Sequence, residues 1–357
     1  MQSSRPRLIP AIADVRRAVR SSLAPFATQT AQNQGQDQVP DADSPLVFVA
    51  LSGGPDSLAL AAATAFEAPR AGIRAGAIII DHGLQPQSAD VAAIAAFQAE
   101  VLGLDPVIVR TVEVGTDGGP EAAARAARYD ALLTVATVSG AVAVLLGHTL
   151  DDQAETVLLG LARGSGATSL HGMAAESGLF LRPLLGIRRA TTVEFCAGSN
   201  LQAWTDPHNS DEAYTRVRVR SNVLPVLESE LGPGIAEALA RTADQLREDA
   251  DALDHFAEEM AEDFAQIVEA GIALPVSALA AQPAALRQRL IRLVVASEFH
   301  LSLSRVQTLE VARLVTDWHG QKPLDLPGVR VERRDGLIVF AATTVGELTG
   351  QDPVLEH

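Results

Sequence analysis

The feature that most constrains this chain is an alternation of short apolar runs with helix-patterned segments between Pro45 and Asp151. Leu46–Leu51 and Ala75–Ile80 are nearly continuous in apolar residues, as strands covered on both faces must be. Pro106–Val114 and Ala141–Leu146 read as a third and fourth strand. Helical patterns fill the gaps at Asp56–Phe66, Ala89–Leu102 and Pro120–Val138, and another begins near Asp151. Four strand–helix alternations predict an α/β fold with a doubly wound parallel sheet. Ligands of such sheets sit beyond the carboxyl ends of the strands. The chemistry is therefore expected at residues 52–57, 81–86, 115–120 and 147–152.

Outside this block the patterns differ. Leu8, Ile12, Val15, Val19 and Leu23 fall at helical spacing with Arg16, Arg17 and Arg20 between them, which predicts an amphipathic helix within residues 1–26. It reads as a helix docked on the following domain, with a targeting segment as the alternative. Residues 27–44 are polar and poor in large apolar groups, as a flexible linker is. The α/β domain is expected over 45–228. Residues 229–357 are expected to form a smaller, mainly helical accessory domain, entered through Gly232-Pro233-Gly234. It should end in a hairpin of Leu324–Glu332 and Leu337–Ala341 turned by Arg333–Gly336.

Composition removes several function classes. No stretch of about 18 uncharged apolar residues appears, and no apolar run precedes a small-residue cleavage site, so a cytoplasmic protein is expected with no membrane partner. The one cysteine, Cys196, cannot form an internal disulfide, a thiolate zinc site or a two-thiol relay. A net charge of −16 argues against nonspecific nucleic-acid binding but leaves room for a local cationic cluster.

Ser52-Gly53-Gly54-Pro55-Asp56-Ser57 follows the first strand and opens a helix. Its glycines permit close backbone approach, Pro55 suits the first helical position, and the helix N-terminus favours an anion. Ser52 and Ser57 offer hydroxyls to phosphate oxygens. Asp56 would repel phosphate directly, so a bridging Mg2+ is its natural role. The turn lacks the Gly-Lys-Ser/Thr ending of a Walker A loop and the three spaced glycines of a dinucleotide site. At the fourth strand exit, His148 precedes Asp151, Asp152 and Glu155, whose spacing gathers carboxylates at a helix start. They could merely cap the helix; together they could bind an amino group. Arg125 and Arg128 share one helix face and could hold a phosphate or a carboxylate.

The turn matches the PP-loop, Ser-Gly-Gly-x-Asp-Ser, of the ATP pyrophosphatases. Further segments resemble the tRNA(Ile)-lysidine synthetases within that group. They are Asp81-His82-Gly83-Leu84-Gln85-Pro86 with Ser88, the helix Glu121-Ala122-Ala123-Ala124-Arg125-Ala126-Ala127-Arg128-Tyr129, and His148-Thr149-Leu150-Asp151-Asp152-Gln153-Ala154-Glu155-Thr156. Arg163-Gly164-Ser165-Gly166 and Gly172-Met173 follow in order. The resemblance spans residues 46–228. Gln85, His208 and Val217 depart from the arginine, serine and asparagine usual there, so no role is carried over to residues 208 and 217.

This resemblance implies ATP as co-substrate, held by residues 52–57 with Asp81, His82 and His148 near the nucleotide. It implies free L-lysine at Asp151, Asp152 and Glu155, with Asp56, Arg128, Asp152 and Glu155 as the catalytic set. The arginine-rich stretch of Arg182, Arg188, Arg189, Arg216, Arg218 and Arg220 is expected to meet tRNA phosphates; salt bridges to nearby acids are the alternative. The implied reaction joins lysine to C2 of the wobble cytidine of a minor isoleucine tRNA with a CAU anticodon, releasing AMP and pyrophosphate. The sequence does not fix the oligomeric state, for which a homodimer is allowed. The rivals are a tRNA thiolation enzyme, disfavoured by the single cysteine; an amide-forming synthetase; and a noncatalytic tRNA-binding protein, against which Asp56 and the acids speak.

Overall fold

A computed structural model describes residues 9–27, 40–81, 83, 87–113, 115, 119–164, 167–204, 206, 211–269 and 271–343. Most of the expected linker, His82, Leu84–Pro86, and residues 205 and 207–210 lie outside the described residues. The chain divides into two compact units, residues 1–244 and 245–357.

The first unit opens with helix α1 (Pro10–Leu23). It then runs through β1 (Leu46–Ala50), α2 (Pro55–Glu67), β2 (Arg74–Asp81), α3 (Ser88–Val101), β3 (Val107–Thr111), α4 (Pro120–Val138), β4 (Ala143–Leu145) and α5 (Leu150–Ala162). A short helix α6 (Ala167–Leu170), the hairpin β5 (Glu176–Ser177) and β6 (Phe180–Leu181), and α7 (Arg189–Gly198) follow. Helix α8 (Thr215–Arg218) passes through a π-helical turn, Val219–Val223, into α9 (Leu224–Leu231). Helix α10 (Ile235–Phe264) carries the chain across the division at Asp244.

The strand order is β3-β2-β1-β4-β6-β5, parallel except for the β5–β6 pair. Alternate residues of β1 enter different cores, as period-2 geometry demands. Val47 and Val49 pack with Leu58, Ala92, Phe195 and the buried face of α1, whereas Leu46 and Phe48 pack with Leu132 and Ala136 of α4. Both faces are therefore covered, and the sheet is doubly wound. The order also reverses at β1: the chain winds outward to β2 and β3, then returns to place β4 on the other side. The exits of β1 and β4 consequently flank a topological switch point, where an open α/β sheet leaves a crevice.

Helix α1 is docked, with Ala11, Ile12, Val15, Val19 and Leu23 buried. Its Arg20 grips the nearly inaccessible carboxylate of Glu67 through Nε and Nη2 at 2.8 and 3.0 Å.

The second unit contains β7 (Gln266–Val268), β8 (Gly271–Pro275), α11 (Val276–Ala281), α12 (Ala284–Phe299), α13 (Arg305–Thr316), β9 (Leu324–Leu326), β10 (Val329–Arg334) and β11 (Leu337–Ala342). The expected terminal hairpin is embedded in a five-stranded antiparallel sheet, β7-β8-β11-β10-β9. Two details differ from the sequence reading. The run Leu324–Glu332 is broken at Gly328 (φ +82°) into two strands, and β10 continues to Arg334. The turn is only Asp335-Gly336, both at positive φ, the tight connection whose twist matches antiparallel strands.

Candidate active site

The exit of β1 forms a close turn. Gly53 sits at φ +82°, a conformation that costs any residue with a Cβ, and its carbonyl accepts from Trp204 N at 2.9 Å. Gly54 caps α2, with Pro55 in its first turn. Ser57 Oγ accepts from Ser52 N at 3.2 Å, lies 3.1 Å from Ser52 Oγ and donates to Gly54 O at 3.0 Å. The two serines thus brace the turn while standing at the positive end of α2. The exit of β4 presses against it: a Cβ on Gly147 would lie 3.1 Å from Ser57 N and 3.2 Å from Asp56 C.

Asp56 points across the crevice to α7. Its Oδ1 accepts a short hydrogen bond from the Thr192 hydroxyl, and Oδ2 lies 3.2 Å from Arg189 Nε. Burial raises the Asp56 pKa above the ordinary carboxylate value, opposed by Thr192 and Arg189. Cys196, one turn beyond Thr192, donates to Pro55 O at 3.4 Å, and burial followed by Asp56 pushes its thiol up to about 11. It is a neutral packing residue.

The acids at the start of α5 have divided roles. Asp152 completes a capping box: its Oδ2 accepts from Thr149 N and Thr149 Oγ1, both at 2.8 Å. Its Oδ1 faces the crevice and meets Arg189 Nη2 at 2.6 Å and Arg220 Nη2 at 3.4 Å. Burial opposes this charge, but Arg189 and the Thr149 hydrogen bonds hold Asp152 below the usual carboxylate range. Glu155, fully buried, takes Arg220 Nε at 2.6 Å on Oε1 and Arg220 Nη2 at 3.0 Å on Oε2. Arg189 Nη1 lies 3.4 Å from Glu155 Oε1. Asp151 instead anchors α7, accepting from Arg189 N at 2.7 Å and pairing with Arg188 Nη2 at 3.4 Å. Capping and charge clustering, alternatives in the sequence, coexist because a carboxylate has two oxygens.

The six expected phosphate-binding arginines separate. Arg188, Arg189, Arg216 and Arg220 form salt bridges to acids of the site, Arg216 through a 4.0 Å approach to Glu155. Arg182 is buried and donates Nη1 to Ala174 O. Arg218 is exposed and donates to the carbonyls of Glu212 and Ala213. Arg125 lies over the Tyr129 ring. Arg128 is exposed as a residue, yet desolvation of its guanidinium and then Arg125 lower its pKa. Burial drives His148 down to about 4, with Asp152 opposing and Arg182, Arg125 and Arg216 reinforcing the shift. Asp81, at the β2 exit, accepts from Gly83 N at 3.0 Å.

Thr192 was not singled out by sequence, where nothing marks a threonine on α7 as facing residue 56. Gln153 also gains a role. It clamps Met173 through both amide atoms at 2.7 and 2.9 Å, tying the Asp-Asp-Gln and Gly-Met segments together.

No group of three His, Cys, Asp or Glu side chains able to enclose a metal occurs among the described residues. One hard carboxylate, Asp56, in the first turn of α2 does suit Mg2+, which is usually held by one or two carboxylates, phosphates and water.

A parallel sheet with a glycine turn at its switch point and acids across the crevice defines a PP-loop protein; the PP-loop domain family matches residues 26–227, more than half of the chain. The TilS substrate binding domain matches residues 274–338. The chain belongs to the tRNA(Ile)-lysidine synthases. It is 61% identical over 328 residues to the tRNA(Ile)-lysidine synthase of Leifsonia xyli subsp. xyli, covering 90% of this chain and 99% of that one. It is 54% identical over 300 residues to that of Thermobifida fusca, covering 83% and 92%. The solved U34-tRNA thiolase NcsA from Methanococcus maripaludis, with its 4Fe-4S cluster, shares the fold at a TM-score of 0.52 and 19% identity, over 67% of this chain and 80% of that one. That likeness concerns the fold alone. Among the described residues no helix is long and apolar enough to cross a membrane.

Proposed function

We propose that the crevice between the β1 and β4 exits is where this ATP-using ligase adenylates the wobble cytidine of an isoleucine tRNA with a CAU anticodon and then attaches free L-lysine. The observation that carries this reading is the single guanidinium of Arg189, which spans Asp56 on the nucleotide side and Asp152 and Glu155 on the acid side.

Residues 52–57 would receive the β- and γ-phosphates at the start of α2, leaving the α-phosphate open to the cytosine O2. Its attack expels pyrophosphate and makes C2 bear a good leaving group. The lysine ε-amine then attacks C2, and AMP departs with the former O2. Magnesium, held by Asp56 together with the phosphates, would neutralise charge on the leaving pyrophosphate. Asp152 and Glu155 would receive the amino acid by taking over from Arg189, while Asp151 fixes the start of α7. A carboxylate of this cluster would accept the proton that the ε-ammonium must lose before it attacks. Asp81, His82, His148 and Arg128 complete the set assigned to nucleotide and chemistry. Arg218, exposed and free of carboxylate partners among the described residues, is the member of the arginine stretch left to meet RNA phosphates, and the second unit would add to that grip. The cytosine would be reached unstacked, as an anticodon loop permits.

Labelled lysine, ATP and the tRNA are the direct test, with AMP release followed. Incorporation without a sulfur donor or glutamine supports the reading, and its absence removes it. A mass measurement in solution tests the homodimer, and fractionation of cells tests the cytoplasmic location.

A further inference from the structure

Besides the Arg189 ion pair, Thr192 and Cys196 tie α7 to the PP-loop. Cys196 Sγ donates to Pro55 O, a contact between packed neighbours. Thr192 reaches Asp56 itself, and its hydroxyl does not need that partner in order to be satisfied.

Thr192 is fully buried in the first turn of α7. Its Oγ1 lies 2.7 Å from Arg189 O, the ordinary back-bond of a helical threonine. That carbonyl would suffice for a buried hydroxyl. The same oxygen also bonds Asp56 Oδ1, 136 residues away in the chain. A hydroxyl carries one hydrogen, so the two acceptors compete, and an ionised carboxylate makes the stronger bond.

The frame that carries Thr192 is fixed by other contacts. Asp151 Oδ2 accepts from Arg189 N at 2.7 Å, and Phe195 shares the core with Leu58 of α2. The two oxygens of Asp56 are consequently held unequally. Oδ1 is taken from the buried side by Thr192. Oδ2 meets Arg189 Nε at 3.2 Å, on a guanidinium shared with Asp152 and Glu155.

We propose that Thr192 is a positioning residue that locks Asp56 Oδ1, so that Oδ2 stands ready to leave Arg189 for the Mg2+ that accompanies ATP. This rests on the Asp56–magnesium reading given above. A carboxylate with one oxygen already fixed loses less freedom when it meets a cation. Magnesium demands near-ideal geometry, so a carboxylate that swings binds it less well. Arg189 keeps Asp152 at 2.6 Å when Asp56 turns away, so the exchange strands no buried cation.

The test compares ATP affinity in Mg2+ with ATP affinity in EDTA, measured by calorimetry in the absence of tRNA. Mg2+ should tighten binding to the wild type. Thr192→Val keeps the shape and removes the hydroxyl; it should weaken binding about tenfold in Mg2+ and less than about twofold in EDTA. Thr192→Ser should restore most of the Mg2+-dependent gain. On an Asp56→Asn background, Thr192→Val should add less than about twofold, because the two residues act through one contact. Cys196→Ala cuts the neighbouring tie and should leave both affinities within about twofold. Should T192V fail to fold, Thr192→Ala reads the same difference. Equal losses in Mg2+ and EDTA, or no recovery with serine, would mean that Thr192 only seats α7, and would overturn the proposal. So would a Mg2+ gain that survives T192V intact. A wild type that binds ATP equally in Mg2+ and EDTA would instead remove the Asp56–magnesium reading, and the proposal with it.

Discussion

Arg189 Nη2 lies 2.6 Å from Asp152 Oδ1, and the same guanidinium reaches Asp56 at 3.2 Å, so one cation joins the two halves of the crevice. Asp56, Asp152 and Glu155 would repel one another if left alone in a partly dry site. Arg189 and Arg220 make their close approach tolerable, and they do so from helices that sequence alone does not place beside α5.

Removing the crevice-facing charge should separate binding of nucleotide from transfer of lysine. Asp152→Asn keeps the shape, and its amide can still accept at the cap. It should abolish lysine transfer while ATP binding, measured by calorimetry, changes less than about threefold. Full transfer activity would remove Asp152 from the chemistry.

Glu155 has a structural cost that Asp152 does not share to the same degree. Glu155→Ala leaves Arg220 without its two short partners inside the protein. Breaking a buried pair from one side costs about 3–5 kcal/mol, so this variant should melt markedly lower as well as lose transfer. Glu155→Gln should recover much of the stability and none of the activity; the pair is separated by thermal denaturation beside the lysine assay.

Gly147→Ala tests the contact between the β4 exit and the PP-loop. The added methyl meets backbone atoms of Ser57 and Asp56 rather than a flexible side chain. The loop must shift, and overpacking of this kind costs about 1–3 kcal/mol. ATP affinity should fall at least tenfold, since the phosphate cradle moves with Ser57. An unchanged affinity would show that the turn yields without reshaping its cradle.

His148 makes stability depend on pH in a predictable direction. Its folded pKa of about 4 lies below the unfolded value near 6.5, so the unfolded chain binds more protons between these pH values. The neutral ring's advantage is whole above pH 6.5 and is lost as pH falls toward 4, by up to about 3 kcal/mol. Denaturant midpoints measured from pH 7 to pH 4.5 should fall more steeply for the wild type than for His148→Gln. Parallel curves would mean that the ring is not desolvated.

On the far side of α2, Arg20→Met leaves the buried Glu67 carboxylate without its bidentate partner and should cost on the order of 2–3 kcal/mol. Adding Glu67→Gln should return most of that loss in the chemical-denaturation midpoint. A wild-type-like single variant would show that solvent replaces Arg20 at the outer end of the pair.

The sequence alone determined the local elements and the family. Apolar runs such as Leu46–Leu51 read as strands covered on both faces, and Ser52–Ser57 with the acids of 151–155 fall at strand exits by sequence position, because strand and helix periods are local. The tertiary structure decided which exits are neighbours. Side-by-side placement of β1 and β4, and α7 laid across them, arise from winding the sheet in two directions and burying both its faces, which no spacing along the chain records. That is why Arg188, Arg189, Arg216 and Arg220, paired or alternating with other arginines in the sequence, turn inward to meet acids tens of residues away. It is also why Thr192 and the pairing of Arg20 with Glu67 left no local trace.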